Sequence, residues 1–229
     1  MYQSSILSSK DVVMHKDVSK KVADFFSHYP QRKIPKDQII IFNGEAPEKV
    51  FYIISGKVSQ YDISYRGDEI MTNIFKSPAF FPMSWAINHT PNTYFYKAEE
   101  DTVVQVAPPE EVVTFLKDNP DVTFDLLARV YKGIDGVLAR TVHLMSGSAR
   151  SRIMYELIIE CRRFGDKISD NLYELKINET DLAARAGLAR ETVNREVKRL
   201  KEKGLVKVNG SSITVTNLSE MEIQLGKTA

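Results

Sequence analysis

Gly187-Leu188-Ala189-Arg190-Glu191-Thr192-Val193-Asn194-Arg195-Glu196-Val197-Lys198-Arg199-Leu200 is the passage of this chain with the fewest readings open to it. Gly187 can take positive φ, so Gly187-Leu188-Ala189 reads as a tight turn. From Arg190 to about Lys203 the spacing predicts a helix with Val193, Val197 and Leu200 on one side, ended by Gly204 just past its C-cap. Upstream, Asn178-Glu179-Thr180-Asp181 is a capping-box-like start, an Asx residue with an acid three positions later. The short helix it opens has Leu182, Ala183 and Ala186 as a small buried face. Helix, three-residue turn and helix at this spacing form a helix-turn-helix unit. Its second helix presents Arg190, Glu191, Asn194, Arg195 and Arg199 away from the apolar stripe. Arg can bind guanine O6 and N7 as a fork, Glu can accept from cytosine N4, and Asn can pair with adenine or reach a phosphate. Arg190, Glu191, Asn194 and Arg195 are therefore the candidate base-reading residues.

Downstream, Leu205-Val206-Lys207-Val208 and Ser211-Ser212-Ile213-Thr214-Val215 flank Asn209-Gly210, the strongest two-residue hairpin signal. A winged helix-turn-helix is expected, with Thr180, Thr192, Arg199 and Lys207 as candidate phosphate contacts. From Arg185 to Lys207 there are about eight Lys and Arg against three Glu, roughly +5 in two dozen residues. The whole chain carries 31 basic and 30 acidic residues for a net +1, so its near-neutral total hides a basic end.

N-terminal to this unit, Ser146-Gly147-Ser148 breaks the pattern, and Ser148 is placed to cap a helix from Ala149 to Phe164. Before the break, a helical stretch opens at Pro120-Asp121 and repeats Leu127, Val130, Ile134, Val137, Thr141 and Leu144 at alternating spacings of three and four. This seam either packs on the chain's own β domain or pairs two copies in a parallel homodimer. Gly133 and Gly136 weaken an isolated helix but let another backbone come close.

Further back, from Ile34 to Val106, short runs rich in Ile, Val, Phe and Tyr alternate with Gly, Asn, Pro and Asp. Ile39–Phe42, Val50–Ile54, Val58–Ser64, Glu69–Phe75, Thr93–Lys97 and Thr102–Val106 read as strands of a small antiparallel β structure. Tyr65-Arg66-Gly67-Asp68 supplies one of the turns, and Pro108-Pro109-Glu110-Glu111 a closing turn and helix start. The fold class is thus α+β, in three parts: residues 1–119 an antiparallel β domain, 120–146 a long helix with an apolar seam, 147–229 the winged helix-turn-helix.

That order of parts resembles the Crp/Fnr superfamily of bacterial transcription regulators from about Ile34 to Val215. The family signature, roughly G-x-S-R-E-T-V-x-R-x-L-x-x-L, matches the passage quoted first. The resemblance implies that residues 1–119 are a sensor β-roll, a jelly roll of the cyclic-nucleotide-binding kind, that 120–146 is a dimerisation helix, and that the partners are double-stranded DNA and a second copy in a homodimer. In the cyclic-AMP-binding branch, the residues matching Arg190, Glu191 and Arg195 read a TGTGA-like half-site, so an inverted repeat of that kind is implied. Asn194 stands where family members vary, and Ala189 replaces the usual Ser, removing a helix cap and a phosphate contact.

Departures are concentrated in the sensor half. Cyclic-nucleotide-binding members carry G-E-L and, about ten residues on, Arg-Ser or Arg-Thr, a charged fork and backbone amides for the phosphate. This chain has Phe80-Phe81-Pro82-Met83-Ser84-Trp85-Ala86-Ile87 and then Thr90-Pro91-Asn92-Thr93-Tyr94-Phe95, without the Gly, Glu or Arg. The adenine-touching hydroxyl pair of the dimer helix falls on Val137 and Leu138. No response to cyclic AMP is expected. The aromatic cluster there, including Phe81, Met83, Trp85, Tyr94 and Tyr96, either lines an effector pocket or is a filled core.

One cysteine, Cys161, excludes an internal disulfide and a cysteine-held iron–sulfur cluster. With Ile153, Leu157, Ile158 and Phe164 on its helical face, it reads as a buried structural thiol. His15, His28, His89 and His143 lack ligand-like spacing, so neither a metal nor another cofactor is expected. There is no Gly-rich phosphate loop, H-E-x-x-H or G-x-S-x-G, which argues against an enzyme. The polar start Met1-Tyr2-Gln3-Ser4-Ser5 and the lack of an 18-residue apolar run point to the cytoplasm and away from a membrane. RNA polymerase and an unidentified small-molecule effector are the further partners that the regulator reading allows. The competing reading is a DNA-free scaffold with a vestigial β-roll.

Overall fold

The computed structural model describes residues 14–228 except 64, 66, 68 and 164. The expectations for Met1–Ser5, for Ser64 at a strand end and Arg66 and Asp68 of the turn after it, and for Phe164 lie outside the described residues.

Helix α1 (Lys16–Phe26) precedes strands β1 (Gln31–Ile34), β2 (Ile39–Ile41), β3 (Val50–Ser55), β4 (Lys57–Ile63), β5 (Glu69–Lys76) and β6 (Ala79–Phe81). A short helix α2 (Met83–Asn88) leads to β7 (Phe95–Ala98), β8 (Thr102–Ala107) and α3 (Pro109–Asp118). The strands form two antiparallel four-stranded sheets, ordered β1-β8-β3-β6 and β2-β7-β4-β5. Ile34, Ile53, Phe81, Val104 and Val106 of the first share one buried cluster with Ile41, Val58, Tyr96 and Ala98 of the second, so the sheets face each other across that core. The two-residue strand period then turns alternate side chains outward. Phe80 and Tyr52 join a second cluster with Val18, Val22 and Phe26 of α1 and Val112 and Leu116 of α3. Phe26 stacks on Tyr52 with ring centroids 4.9 Å apart.

Helix α4 (Pro120–Ser146) follows. The chain divides into two compact units within it, the first ending at Arg129 and the second beginning at Val130. In the first unit Val122 is buried and Leu126 packs beside it against the α1/α3 cluster. Buried Asp125 accepts from Arg129 Nε (2.8 Å) and from the His15 amide (3.2 Å).

The second unit continues with α5 (Ala149–Arg163), β9 (Asp166–Ser169), β10 (Leu172–Leu175), α6 (Glu179–Ala186), α7 (Arg190–Glu202), β11 (Val206–Asn209), β12 (Ser212–Val215) and α8 (Leu218–Thr228). Ser148 Oγ accepts from the Ser151 amide (3.2 Å), capping α5. Its core is one cluster drawn from α5, α6, α7, α8 and the strands. The sheet order β11-β12-β10-β9 joins the wing hairpin to a second hairpin through β10 and β12. Because Asn209 pairs with Ser212, the two-residue turn is Gly210-Ser211, one position beyond Asn209-Gly210, with Gly210 taking the positive φ (+56°) at its first place.

Strands β1 and β6 and the short helix α2 have no counterpart in the sequence reading, and neither do α1, α8 and the β9–β10 hairpin. Helix α1 buries Val18, Val22 and Phe26 at helical spacing, but its N-cap is His15, which makes no side-chain cap bond, so the usual start signal is missing. Helix α8 buries Leu218, Met221 and Leu225, and Asn217 Oδ1 accepts from the Glu220 amide (3.0 Å). The β9–β10 hairpin turns at Asp170-Asn171, with Asn171 at φ +66°.

Candidate nucleic-acid interface

The reading unit is built from its caps inward. Asn178 Oδ1 accepts from the amides of Thr180 (2.8 Å) and Asp181 (2.9 Å), two of the donors a helix start leaves unpaired. At the other end of α6, Gly187 sits at φ +62°, and the Leu188 amide reaches back to the Ala183 carbonyl (3.0 Å), a Schellman closure. The chain then enters α7 with Ala189 at the N-cap and no side-chain cap bond, as the missing Ser implied. Val193, Val197 and Leu200 are buried against the core of this unit. Burial of one stripe leaves Arg190, Glu191, Asn194, Arg195 and Arg199 exposed along the opposite face. Thr180 is exposed on α6, Thr192 is half-buried, and Lys207 is exposed on β11.

Sequence reasoning missed Glu196. It lies on α7 between the two exposed arginines, 4% exposed, accepting from Arg199 Nη1 (2.5 Å) with Arg195 Nε at 3.7 Å. A desolvated carboxylate at this point holds both guanidinium stems while their side chains stay more than half exposed. The signal available was its place in the i, i+3 relation to Arg199. A second missed group surrounds α5. Arg140 of α4 donates to Glu156 (2.7 Å) and to the Arg185 carbonyl at the end of α6 (3.0 Å), and Arg185 pairs with Glu160. Burial pushes the Glu156 carboxyl up, and Arg140 opposes that shift. Cys161 is buried in the same unit, and desolvation pushes its thiol far above the ordinary range, which leaves it a poor nucleophile.

Along α4, Leu127, Val130, Ile134 and Val137 are all exposed in the single chain, as is Thr141, with Leu144 half-buried. A Cβ placed on Gly133 would meet no atom within 4 Å. The five aromatic-cluster residues do not converge on one place. Phe81 and Tyr96 stack inside the β-roll at 5.2 Å, flanked by Phe75 and Phe51, and burial pushes the Tyr96 phenol up to about 12. Tyr94 packs at the edge of that cluster, Met83 belongs to the α1/α3 cluster, and Trp85 meets His89 edge-on. Within Phe80–Ile87, helix α2 has Pro82 at its N-cap and makes no side-chain cap bond.

The reading unit from residue 151 to 222 matches the family model of the Crp-like helix-turn-helix domain, and residues 31–119 match that of the cyclic nucleotide-binding domain. The chain belongs to the Crp/Fnr transcription regulators. Among Crp/Fnr relatives, the global nitrogen regulator of Nostoc sp. (strain PCC 7120) is 27% identical over 187 residues, covering 79% of this chain and 82% of that protein. A CRP/FNR-family transcriptional regulator of Thermus thermophilus has the same fold, with TM-score 0.69 at 17% identity over 87% of this chain and 100% of that one. The c-di-GMP-responsive global regulator CLP of Xanthomonas campestris superposes with TM-score 0.70 at 17% identity, over 87% and 99% of the two chains. The Crp/Fnr proteins are regulators and not enzymes. No helix among the described residues is long and apolar enough to cross a membrane.

Proposed function

We propose that this Crp/Fnr regulator is a homodimer that places α7 of each subunit in successive major grooves, about 34 Å apart, on an inverted repeat with TGTGA-like half-sites. Arg190, Glu191, Asn194 and Arg195 read bases; Thr180, Thr192, Arg199 and Lys207 hold phosphates. The observation that carries this reading is the division of α7 into a buried Val193/Val197/Leu200 stripe and an exposed cationic face. Residues 120–146 pair the two copies through Leu127, Val130, Ile134, Val137, Thr141 and Leu144, between a sensor part (1–119) and a DNA-binding part (147–229). The exposed apolar seam supports the homodimer over a helix packed on its own β domain. The cytoplasm is the compartment and RNA polymerase the machinery acted upon. Operator selection from random DNA, with and without cell extract, tests the reading. An enriched inverted repeat is expected, and a selection that enriches nothing under either condition would leave the scaffold reading in its place.

Cyclic AMP does not control this protein in our reading. Between Lys76 and Lys97 the chain has no Lys or Arg to meet a phosphate, and Lys97 is paired with Glu69 (2.8 Å) beneath the Tyr61 ring. The stacked rings of Phe51, Phe75, Phe81 and Tyr96 support a filled core over an aromatic-effector pocket at that place. Titration calorimetry with cyclic AMP checks this; millimolar or tighter binding would overturn it.

A further inference from the structure

Asn194 lies on the exposed face of α7, and its carboxamide faces two acceptors within the protein. With its nitrogen toward them, it donates to the Arg190 carbonyl (3.2 Å) and to Glu179 Oε2 (3.1 Å). Glu179 is the first residue of α6, next to the Asn178 cap, so this bond ties the two helices of the reading unit together across the turn. A carboxamide has two N–H groups, and here both are used by the protein. What Asn194 can offer to a base is then its carbonyl oxygen, an acceptor.

We infer that Glu179 is a specificity-determining positioning residue: by holding the Asn194 amide nitrogen, it turns Asn194 into a pure acceptor in the major groove. The inference rests on α7 being the reading helix. An acceptor selects the exocyclic amino groups of the groove, cytosine N4–H or adenine N6–H, and disfavours guanine O6 and thymine O4. It also denies Asn194 the bidentate pairing with adenine N6 and N7, which needs the amide nitrogen as donor. Released from Glu179, the same side chain could make that pair. Because the acid stands beside the phosphate-contact candidate Thr180, its charge also weakens binding to every DNA sequence alike.

Operator selection and competition binding on the full-length wild type, Glu179→Ala, Glu179→Gln and Asn194→Ala test this, with circular dichroism checking that each variant is folded. Asn194→Ala should relax one position of the half-site, and the wild type should hold A or C there. Glu179→Ala should shift that same position toward A over C by about tenfold, the discrimination a bidentate pair supplies. Glu179→Gln keeps an acceptor without the charge, so it should keep the wild-type preference while raising affinity for all sequences. If Asn194→Ala relaxes no position, Asn194 does not read bases and the proposed function loses that residue. If Asn194→Ala relaxes a position that Glu179→Ala leaves unchanged, or if the wild type holds G or T there, the role of Glu179 is overturned and the reading helix stands.

Discussion

Helices α4 and α7 carry apolar stripes at the same three-and-four spacing, and opposite fates befall them. In α7, Val193, Val197 and Leu200 are 0%, 2% and 0% exposed; in α4, Leu127, Val130, Ile134 and Val137 are 46%, 49%, 46% and 65% exposed. Burial of the first stripe sets the polar, cationic face of α7 outward, the face proposed to read DNA. Exposure of the second leaves a row of large apolar side chains, and a contiguous patch of that kind marks an interaction surface. Periodicity thus says that a helix has a face, and packing says what the face is for.

The sharpest way to break this contrast is a charge in the α4 seam. Ile134→Arg should leave each subunit folded but yield a monomer by sedimentation, and operator affinity should fall by about 10² to 10⁴-fold as two linked half-site contacts become independent. A dimer that persists would reassign the seam. In the buried stripe the expected effect is on stability instead. Leu200→Ala should cost about 2–5 kcal/mol in urea unfolding, by lost transfer energy plus a cavity. On the exposed face of α7, Arg195→Ala should cost about 1–3 kcal/mol per half-site and relax base preference. Lys207→Ala should weaken all sequences equally and lower the salt slope by about one. Where α7 begins, Ala189→Ser restores the absent cap and should stabilise the protein by about 0.5–1 kcal/mol in the same unfolding assay.

The smallest expected effect lies in the last turn of α4. His143 stacks on Tyr155 with centroids 4.2 Å apart, and burial holds its imidazole below the ordinary range. The unfolded chain therefore binds the proton more readily than the folded one. Stability should be undiminished above the unfolded His range and decline as pH falls through it toward the lowered folded value. Unfolding midpoints of the wild type and His143→Phe, measured across that range, should diverge in this direction.

Legibility differed by element for physical reasons. The helix-turn-helix was readable because each boundary carries its own chemistry, the Asn178 cap, Gly187 in the left-handed region and Gly204 after α7. Six of the eight β-roll strands were readable from short runs of Ile, Val, Phe and Tyr between turn residues, whereas β1 and β6 were not; and the wing turn sits one residue later than its strongest dipeptide suggests, since strand pairing and not the dipeptide sets register. Helix α1 was missed because His15 gives no cap signal and three buried residues in eleven make a thin stripe. Glu196 was missed because a lone acid on a basic helix looks like surface, and only the fold shows that it is buried beneath two arginines.

From its residues alone, this chain determined its α+β class, its order of parts and the face that the reading helix turns outward. Those features depend on spacing and local caps, which act within a few residues of each other. The tertiary structure alone decided that Phe81 and Tyr96 stack in the core, that the α4 seam is uncovered, and that Glu179 reaches Asn194. Each of these is a contact between side chains that the folded backbone brings together, or the absence of one, and no local periodicity encodes it.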